Sequence, residues 1–544
     1  MHENTKPKTT NSPFVFLRAA ISMTLLWLSF PPIGLAYLGW FALVPLFDLV
    51  TDKRILTKTE FRKIWLAGLF YWLGTFYFIP IPHPALWAGW AVVSIYLACY
   101  LPIFVGASRA LNHRLSIPYL LAIPICWTGL EYIRCHLFTG MGLVCLSHTQ
   151  YQNPTLIQVS DLSGAYTLTF AMTFVSVATC QLKSIFQGQA FKGFAHLTLG
   201  AAVAAGIYLY GNFKLNDQHE TTFSELRVGF IQGSIDTKFP STQEEAEKLY
   251  HGKTRHYEKL YHDAALKWNN VDVVLWPENG WSVPDLHPDT ETGKMDPRQL
   301  HLYNESAFYA WTNLFVPNKT TPVIIAGAVT VDPIKNDSYG SALLIGEDGE
   351  IHGRYFKNHL VMFGEYVPLA DWFPLLKRIP AIGKGLIAGN ESVVFDIQGV
   401  KLAPSICFES TVPHYIRDQV LKLKAAKKEP DVLVNLTNDG WFYGTSCLDF
   451  HLACNVFRAV EMRKPMLVCA NTGFSAHVDS LGQIIEVGPR RQPKTFLSEV
   501  HGLELDSVYV TIGDWIPFTL AVATMLGFCL AIFKGKAVEK KEPA

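Results

Sequence analysis

The sequence has little charge for its length and no excess of either sign. Only 17% of its 544 residues are charged, and 46 Lys and Arg balance 46 Asp and Glu. No basic face large enough to neutralise many phosphates is evident, which excludes a nucleic-acid partner. So little charge beside an apolar fraction of 49% is unlike an average soluble protein. At this length we expect two or more units, one of them in a membrane.

Metal-binding cysteine patterns are also missing. Only Cys407, Cys447, Cys454 and Cys469 lie in the polar part of the chain, without CxxC spacing or a His/Cys cluster of the zinc type. The other cysteines fall inside apolar runs or, like Cys135 and Cys145, beside the end of one. A metal site is therefore not expected.

Long apolar runs are concentrated in the first 213 residues and near the C-terminus. About eight of them have a length that suits a membrane span, and they cover residues 13–30, 35–50, 64–82, 86–108, 117–133, 160–182, 193–212 and 514–533. The first run is followed by no A-x-A cleavage site, so we expect an uncleaved anchor. These runs predict a membrane domain at 1–213, a polar domain at 214–510, and a last span with a basic tail at 511–544.

Lys and Arg are missing from two connections between the spans. The connections after spans one and three contain none, whereas basic residues follow the even-numbered spans, and these are Lys53, Arg54, Lys58, Arg62, Lys63, Arg109, Arg114, Lys183, Lys192, Lys534, Lys536, Lys540 and Lys541. Under the positive-inside rule the even-numbered ends are cytoplasmic. The polar domain then lies outside the cytoplasm, which in a bacterium with two membranes is the periplasm. A miscounted span would reverse this placement.

The polar domain alternates strand-like and helix-like segments. β-branched runs begin at 226, 272, 322, 341, 401, 431 and 465, and helical stretches cover 241–268 and 449–462. Such alternation, with strands buried on both faces, predicts a layered α/β domain. Glu278, Lys357 and Cys407 each follow a predicted strand, where such folds place their catalytic groups.

These three residue types suit a thiol acyl-transfer site. A cysteine thiol has a pKa near 8.5, so it needs a base or a cation to react at neutral pH. Glu278 can take the proton, and the Lys357 ammonium can stabilise the oxyanion that forms when the Cys407 thiolate attacks an ester. Taken singly, Cys407 suits a strand core, Lys357 a surface position and Glu278 a turn cap. The combination of all three favours catalysis.

The sequence around these residues resembles the Glu-Lys-Cys signature of the nitrilase superfamily. The resemblance is carried by WPE with Glu278, KNHLVMFGE with Lys357 and Glu365, and ICFE with Cys407 and Glu409. It implies an αββα sandwich and a thioester at Cys407, with Glu278 as the general base and acid and Lys357 as the oxyanion stabiliser. It also implies that Glu365 orients the lysine or forms a structural ion pair, and that Glu409 has a supporting role.

Further motifs resemble the membrane-embedded apolipoprotein N-acyltransferase family. They are LSFPPIGLAYLGWFALVPLF, EYIRCHLFTG and DLSGAYTLTF in the apolar part, and NDGWFYGTS, HLACNVFRAVEMRKPM and NTGFSAHVDSLG in the polar part. The resemblance implies an α-helical membrane domain, with the nitrilase-like sandwich inserted between its transmembrane helices, in a multi-pass protein of the bacterial inner membrane. It implies that an acyl chain passes from a phospholipid, typically phosphatidylethanolamine, through Cys407 to the α-amino group of a diacylglyceryl-cysteine on an apolipoprotein. No metal or nucleotide cofactor is implied.

The sequence departs from the family pattern at five positions. Met362 replaces a usual proline and Phe408 a common tyrosine. Cys454 and Asn455 occupy the place of an Ala-Arg pair, and Cys469 stands where an arginine is usual. None of these changes removes a member of the triad. They bear on substrate contacts.

Aromatic residues accompany the motif loops. Trp281, Phe363, Phe408 and Trp441 are candidate substrate-binding residues, which beside a membrane can guide acyl chains. In a soluble enzyme the same residues suit core or lid packing.

Two other functions remain open from the residues. A membrane-tethered amidase or nitrilase would use the same triad and give its thioester to water. A membrane scaffold or transport protein would carry the sandwich in inactive form. The long membrane part favours a lipid donor over the first, and the complete triad favours catalysis over the second.

Overall fold

The computed structural model describes residues 14–186, 188–217, 220–238, 240–281, 285–298, 300–301, 314, 322–368 and 385–539. The chain divides into two compact units. One is drawn from Met1–Ile79, Trp87–Asn216 and Thr511–Ala544, and the other from Pro80–Leu86 and Asp217–Val510.

The first unit is helical. Its longer helices are Phe14–Ser29, Lys58–Thr75, Leu86–Ala98, Tyr100–Leu115, Tyr119–His136, Ala165–Cys180, Ala190–Asn216 and Trp515–Glu539. Shorter helical segments are Ala36–Trp40, Val44–Thr51, Leu146–Gln150, Pro154–Ile157, Ser160–Ser163 and Leu182–Phe186, and Val508–Ile512 lies at the border between the units. A capping box starts Lys58–Thr75, in which the Thr57 side chain accepts from the Glu60 N–H and the Glu60 carboxylate accepts from the Thr57 N–H.

Every predicted span overlaps one of these helices, but the predicted number of about eight spans is not confirmed. Among the described residues, Leu86–Leu115, Ala190–Asn216 and Trp515–Phe533 are long and apolar enough to cross a membrane. A fourth is possible if Pro154–Ser163 and Ala165–Cys180, bent by 115°, form one span. The predicted span at 35–50 is split, because a 3-10 helix at Ala36–Trp40 is followed by an α-helix of only 8 residues.

Two long helices of this unit pack antiparallel. Near the end of Tyr119–His136, the His136 imidazole lies 3.6 Å from the carboxylate of Asp514, which precedes Trp515–Glu539. Further along, the Thr524 hydroxyl donates to the carbonyl of Ile125 over 3.2 Å. Gly129 permits this approach, because a Cβ atom there would lie 2.7 Å from the carbonyl oxygen of Leu520.

The second unit contains two β-sheets. Its strands are β1 (Thr221–Gln232), β2 (Val273–Trp276), β3 (Asp285–Leu286), β4 (Val323–Asp332), β5 (Asp337–Ile345), β6 (Ile351–Phe356), β7 (Phe395–Ile397), β8 (Val400–Ile406), β9 (Val432–Thr437), β10 (Met466–Ala470), β11 (Ala476–Val478), β12 (Ile484–Val487) and β13 (Lys494–Leu503). One sheet has the order β13-β1-β2-β4-β5-β6, with β3 beside β4, and the other has the order β12-β11-β10-β9-β8-β7. The central pairs β1-β2, β2-β4, β8-β9 and β9-β10 are parallel.

Alternating side chains bury both faces of the first sheet. Val273 and Leu275 of β2 join a buried cluster that also holds residues of β8, β9 and β10, so the two sheets share one core. Val274 and Trp276 point the other way and join Tyr257 of the helix Gln243–Ala265.

Helices also cover the second sheet. The helix Pro413–Ala425 bonds to β8 through the Gln419 amide, which donates to the Pro404 carbonyl, and Cys447–Met462 lies against β10. The layers are therefore helix, sheet, sheet and helix, and the predicted α/β sandwich is confirmed. The seven strands predicted from β-branched runs are β1, β2, β4, β5, β8, β9 and β10.

Candidate active site

The three predicted catalytic residues come together although they are far apart in the sequence. Glu278 lies two residues after β2, Lys357 directly follows β6, and Cys407 directly follows β8. Lys357 Nζ lies 3.4 Å from Glu278 Oε1, and the Glu278 carboxylate and the Cys407 thiol are close enough for each to shift the pKa of the other. The strand ends thus place a carboxylate, an ammonium and a thiol in one site.

Lys357 is held as a buried ammonium ion. Its side chain is 1% exposed, and its Nζ lies 2.6 Å from Glu365 Oε1 as well as near Glu278. Burial opposes the charge, but the nearby carboxylates and the Cys407 sulfur outweigh it and raise the pKa of Lys357 above its ordinary value. The lysine therefore stays charged and supplies a fixed positive charge beside the thiol.

Cys407 occupies a sharp turn between β8 and a short 3-10 helix, Cys407–Thr411. Its φ angle is +52°, which is unusual for a residue with a side chain and is often found at functional sites. Its carbonyl oxygen accepts a hydrogen bond from Asn435 Nδ2 at 3.1 Å, and His451 Nε2 lies 3.0 Å from the same oxygen. Burial and the Glu278 carboxylate raise the pKa of the thiol, so the proton must be taken by a base during attack.

Glu278 is positioned to be that base. Its Oε2 accepts a hydrogen bond from the backbone N–H of Asn438 at 3.0 Å, while its Oε1 faces Lys357 Nζ. Burial raises the pKa of Glu278, and the Lys357 charge and the Cys407 thiol partly oppose this rise. The backbone at Gly327 lies very close to the backbone at Glu278. A Cβ atom on residue 327 would lie only 2.5 Å from the Glu278 Cα, so a side chain does not fit there.

Glu409 ties the lysine loop to the cysteine turn. It is fully buried, and its Oε1 accepts from the backbone N–H groups of Asn358 at 2.7 Å and His359 at 2.9 Å. Its Oε2 accepts from the Ile406 N–H at 2.7 Å and the Tyr355 hydroxyl at 2.8 Å. One carboxylate therefore fixes the backbone on both sides of the site, which is a positioning role.

A buried His-Asp pair supports the cysteine turn. His451 Nδ1 lies 3.0 Å from Asp439 Oδ1, and its Nε2 faces the Ser410 hydroxyl at 3.2 Å as well as the Cys407 carbonyl. Burial opposes protonation of His451, but the Asp439 carboxylate outweighs it and raises the pKa of the imidazole. A protonated imidazole donates from both nitrogens, which suits the Asp439 carboxylate at Nδ1 and the Cys407 carbonyl at Nε2.

The predicted aromatic residues fall into different environments. Trp281 packs against a buried cluster, with its ring 5.7 Å from that of Trp276, and Phe408 stacks on His359 at 6.0 Å. Phe363 lies in the loop between Lys357 and Glu365, has a φ angle of +59°, and is 46% exposed. Trp441 lies in the 3-10 helix Asp439–Phe442 and is partly exposed.

The departures from the family pattern fall into two groups, because Phe408 and Met362 lie in the loops of the site whereas two cysteines lie inside the sandwich. Cys469 is buried in β10 and its thiol donates to the Leu275 carbonyl at 3.1 Å, while Cys454 is buried in the helix Cys447–Met462. Met362 pairs with Tyr366 in an isolated bridge within the lysine loop. Both cysteines therefore belong to the packing of the sandwich.

Several supporting residues were not predicted. Asn435 and Asp439 contact the cysteine turn or its histidine, and Asn471 donates to the Asn438 side chain at 2.8 Å. Asp439, His451 and Asn471 lie in the motifs NDGWFYGTS, HLACNVFRAVEMRKPM and NTGFSAHVDSLG, which carry the family resemblance without assigning these residues a role, and Asn435 lies in none of these motifs. The available signal was a polar residue inside or just after an apolar strand, as at Asn435 in β9. In the ranges that the structure describes, no group of three or more His, Cys, Asp or Glu side chains could hold a metal ion.

Comparison with known proteins places this architecture in a family. Residues 22–178 match the family model described as Apolipoprotein N-acyltransferase N-terminal domain, and residues 227–502 match Carbon-nitrogen hydrolase. The chain is 30% identical to Apolipoprotein N-acyltransferase of Geobacter metallireducens, covering 96% of each chain. It is 29% identical to the protein of the same name from Rhodopirellula baltica, over 94% of this chain and 96% of that one. The chain belongs to the apolipoprotein N-acyltransferase family, within the nitrilase superfamily.

Proposed function

We propose that the protein transfers an acyl chain from a membrane phospholipid, through a thioester at Cys407, to the α-amino group of an apolipoprotein's N-terminal diacylglyceryl-cysteine. The observation that carries the proposal is the buried cluster of Glu278, Lys357 and Cys407 in a chain of this family. Phosphatidylethanolamine is the expected donor.

In the first step Glu278 takes the thiol proton as the Cys407 sulfur attacks the ester carbonyl of the phospholipid. The carbonyl oxygen becomes an oxyanion, which the Lys357 ammonium stabilises. When the tetrahedral intermediate collapses, the ester C–O bond breaks and the leaving alkoxide takes the proton back from Glu278. A lysophospholipid leaves, and the acyl chain remains on Cys407.

In the second step the neutral amine of the diacylglyceryl-cysteine attacks the thioester. Glu278 accepts the proton that the amine loses, and the C–S bond breaks. The Cys407 sulfur recovers a proton from Glu278 as the amide product leaves. Lys357 again stabilises the oxyanion, so one site serves both steps.

The proposed topology has eight spans, with a membrane domain at 1–213, the catalytic domain at 214–510 outside the cytoplasm, and a last span with a basic tail at 511–544. Contacts within the helical unit support the alternating direction of these spans. Arg114, after the predicted fourth span, bonds to the carbonyl of Leu530 near the end of the eighth, whereas His136 and Asp514 meet at the opposite ends of their helices. In the bacterial inner membrane, this topology places the catalytic domain in the periplasm.

The reaction is tested with purified full-length protein and a phospholipid labelled in its acyl chain. We expect a hydroxylamine-sensitive label on Cys407 that a diacylated lipopeptide removes and water does not. Cys407→Ala should take up no label, whereas Cys454→Ala, a buried cysteine at a position where the family commonly has alanine, should label normally. Release by water alone would favour the hydrolase, and absence of label from the wild-type protein would favour the inactive scaffold.

The topology is tested with reporter fusions. A phosphatase that is active only outside the cytoplasm should be active when fused after residue 216 and inactive when fused after residue 186. The reverse result would place the catalytic domain in the cytoplasm.

A further inference from the structure

Two cysteines of the helical unit lie in contact with each other. The Sγ atoms of Cys135 and Cys145 are 3.8 Å apart, and both residues are buried. Cys135 lies in the last turn of the helix Tyr119–His136, and Cys145 directly precedes the 3-10 helix Leu146–Gln150. A disulfide bond is about 2.05 Å long, so the two sulfurs need only a small movement to form one.

The segment 137–144 folds back on the end of the helix and brings Cys145 to Cys135. The Met141 N–H donates to the Arg134 carbonyl at 2.8 Å. Gly140 has a φ angle of +78°, and a Cβ atom there would lie 2.3 Å from the Cys135 carbonyl oxygen. Only glycine fits this turn, and it allows the backbone of the segment to lie directly against Cys135.

Arg134 holds the other end of the segment. Its buried guanidinium donates to the carbonyls of Leu143 at 2.6 Å and Val144 at 3.2 Å, and to Cys145 Sγ at 3.4 Å. The guanidinium thus fixes both the backbone before Cys145 and the position of its sulfur. The pair therefore has proximity and a fixed backbone.

The two cysteines lie at the end of the helical unit where the chain returns from the catalytic unit. His136, the neighbour of Cys135, contacts Asp514, which lies four residues after Val510, the last residue of that unit. In the proposed topology this end faces the periplasm. Disulfides form and persist in that compartment but are rare in the cytosol.

We propose that Cys135 and Cys145 form a disulfide bond that ties the segment 137–144 to the end of its helix. This modification rests on the proposed topology and goes beyond the acyl-transfer reaction. The thiolate of one cysteine attacks the disulfide of an oxidised thiol–disulfide exchange protein and forms a mixed disulfide. The thiolate of the other then displaces that protein, which leaves as a dithiol carrying the two electrons and, in net terms, the two thiol protons. Because both sulfurs are buried in the folded chain, this exchange precedes the packing of the segment.

The bond would constrain an exposed apolar turn. Leu137 and Phe138 are 46% and 71% exposed, and both lie inside the segment that the disulfide closes. The covalent tie would keep these side chains at a constant position at the end of the helix.

The test uses full-length protein in membranes that are quenched with acid and denatured in detergent with N-ethylmaleimide, before and after reduction. We expect Cys135 and Cys145 to be alkylated only after reduction, and a peptide pair linked through them to be found by mass spectrometry. Cys126 and Cys180, which are also buried in this unit, should be alkylated without reduction. Alkylation of Cys135 and Cys145 before reduction in the wild-type protein would overturn the proposal.

Single variants provide the matched control. Cys135→Ser should leave Cys145 open to alkylation without reduction, and Cys145→Ser should do the same for Cys135. The acyl label on Cys407 is measured in the same wild-type preparation. A missing disulfide with a labelled Cys407 overturns the disulfide alone, and a disulfide without label at Cys407 overturns the acyl-transfer proposal alone.

Discussion

Lys357 Nζ lies 2.6 Å from Glu365 Oε1, closer than its 3.4 Å distance to Glu278. Glu365 also accepts from the Val361 N–H at 2.8 Å, so the same carboxylate holds both the lysine and its loop. The ion pair neutralises a buried ammonium without using the base. These contacts support the orienting role that the family resemblance implies for Glu365, and we propose that it positions Lys357.

Replacing Lys357 by methionine should remove oxyanion stabilisation while filling a similar volume. We expect the rate of Cys407 acylation to fall roughly a hundredfold to a thousandfold, as for the loss of one oxyanion donor. Single-turnover labelling with an acyl-labelled phospholipid measures this rate. Retention of the wild-type rate in Lys357→Met would contradict the assigned role.

Glu365→Gln should change the pH dependence. The negative charge of Glu365 raises the pKa of Glu278, which burial already raises. Glu278 must be ionised to take the thiol proton, so activity falls as the pH decreases through this raised pKa. Removing the Glu365 charge lowers the pKa, and the acid limb of kcat/KM should move to lower pH while the maximal rate falls. An unmoved acid limb would argue against Glu278 as the titrating base.

Glu409→Gln should destabilise the catalytic domain. An amide NH2 cannot accept a hydrogen bond, so either the Ile406 N–H or the pair from Asn358 and His359 loses its acceptor. A buried unsatisfied donor costs about 1–3 kcal/mol of unfolding free energy. Thermal unfolding of the detergent-solubilised protein measures the loss, with the exposed Glu391→Gln as control. Equal midpoints for the two variants would show that Glu409 does not hold the loops.

His451→Gln should lower kcat roughly tenfold. The substitution weakens the hydrogen bond between the imidazole and the Cys407 carbonyl, and a loss of about 1.4 kcal/mol corresponds to a factor of ten. The KM for phospholipid should stay unchanged, because His451 contacts the backbone of the cysteine turn and is buried. His451→Leu, which cannot donate at all, should lose more activity than the glutamine variant. His477→Gln, in which a buried imidazole bonded to Ser498 is replaced, serves as the control for a general packing effect. Equal kcat losses in all three variants would assign His451 a packing role only.

Trp441 and Trp281 should respond differently to alanine. Trp281 packs on Trp276, so its loss should lower the unfolding free energy by about 2 kcal/mol. Trp441 is partly exposed beside the site, and Trp441→Ala should raise the KM for phospholipid about tenfold through lost apolar contact. Wild-type turnover and lipid affinity in Trp441→Ala would exclude a lipid contact.

Much of the sandwich follows from local patterns. The β-branched runs predict the parallel core strands, because residues buried on both faces form short continuous apolar segments. β13 was not predicted, because its buried positions include Ser498 and Gly502 beside Phe496 and Val500, so apolar and polar residues do not alternate in the sequence. The strand forms by antiparallel pairing with β1, more than 250 residues earlier.

The helical unit shows a different limit. Apolar runs predict where helices form, but a helix that follows a run can end early or bend, as at the 115° break between Pro154–Ser163 and Ala165–Cys180. Length and composition alone therefore leave the number of spans open.

Local sequence is enough to identify the chemical groups proposed for the site, since Glu278, Lys357 and Cys407 each lie in a recognisable motif after a strand. The fold alone shows how they are held, through the Glu409 bonds to two loops and the His451 contact with the Cys407 carbonyl. In the helical unit it likewise brings Cys135 into contact with Cys145. The physical reason is that strand ends and side-chain identities are local properties. Hydrogen-bond partners and sulfur contacts depend on which distant segments the fold brings within a few ångströms of each other.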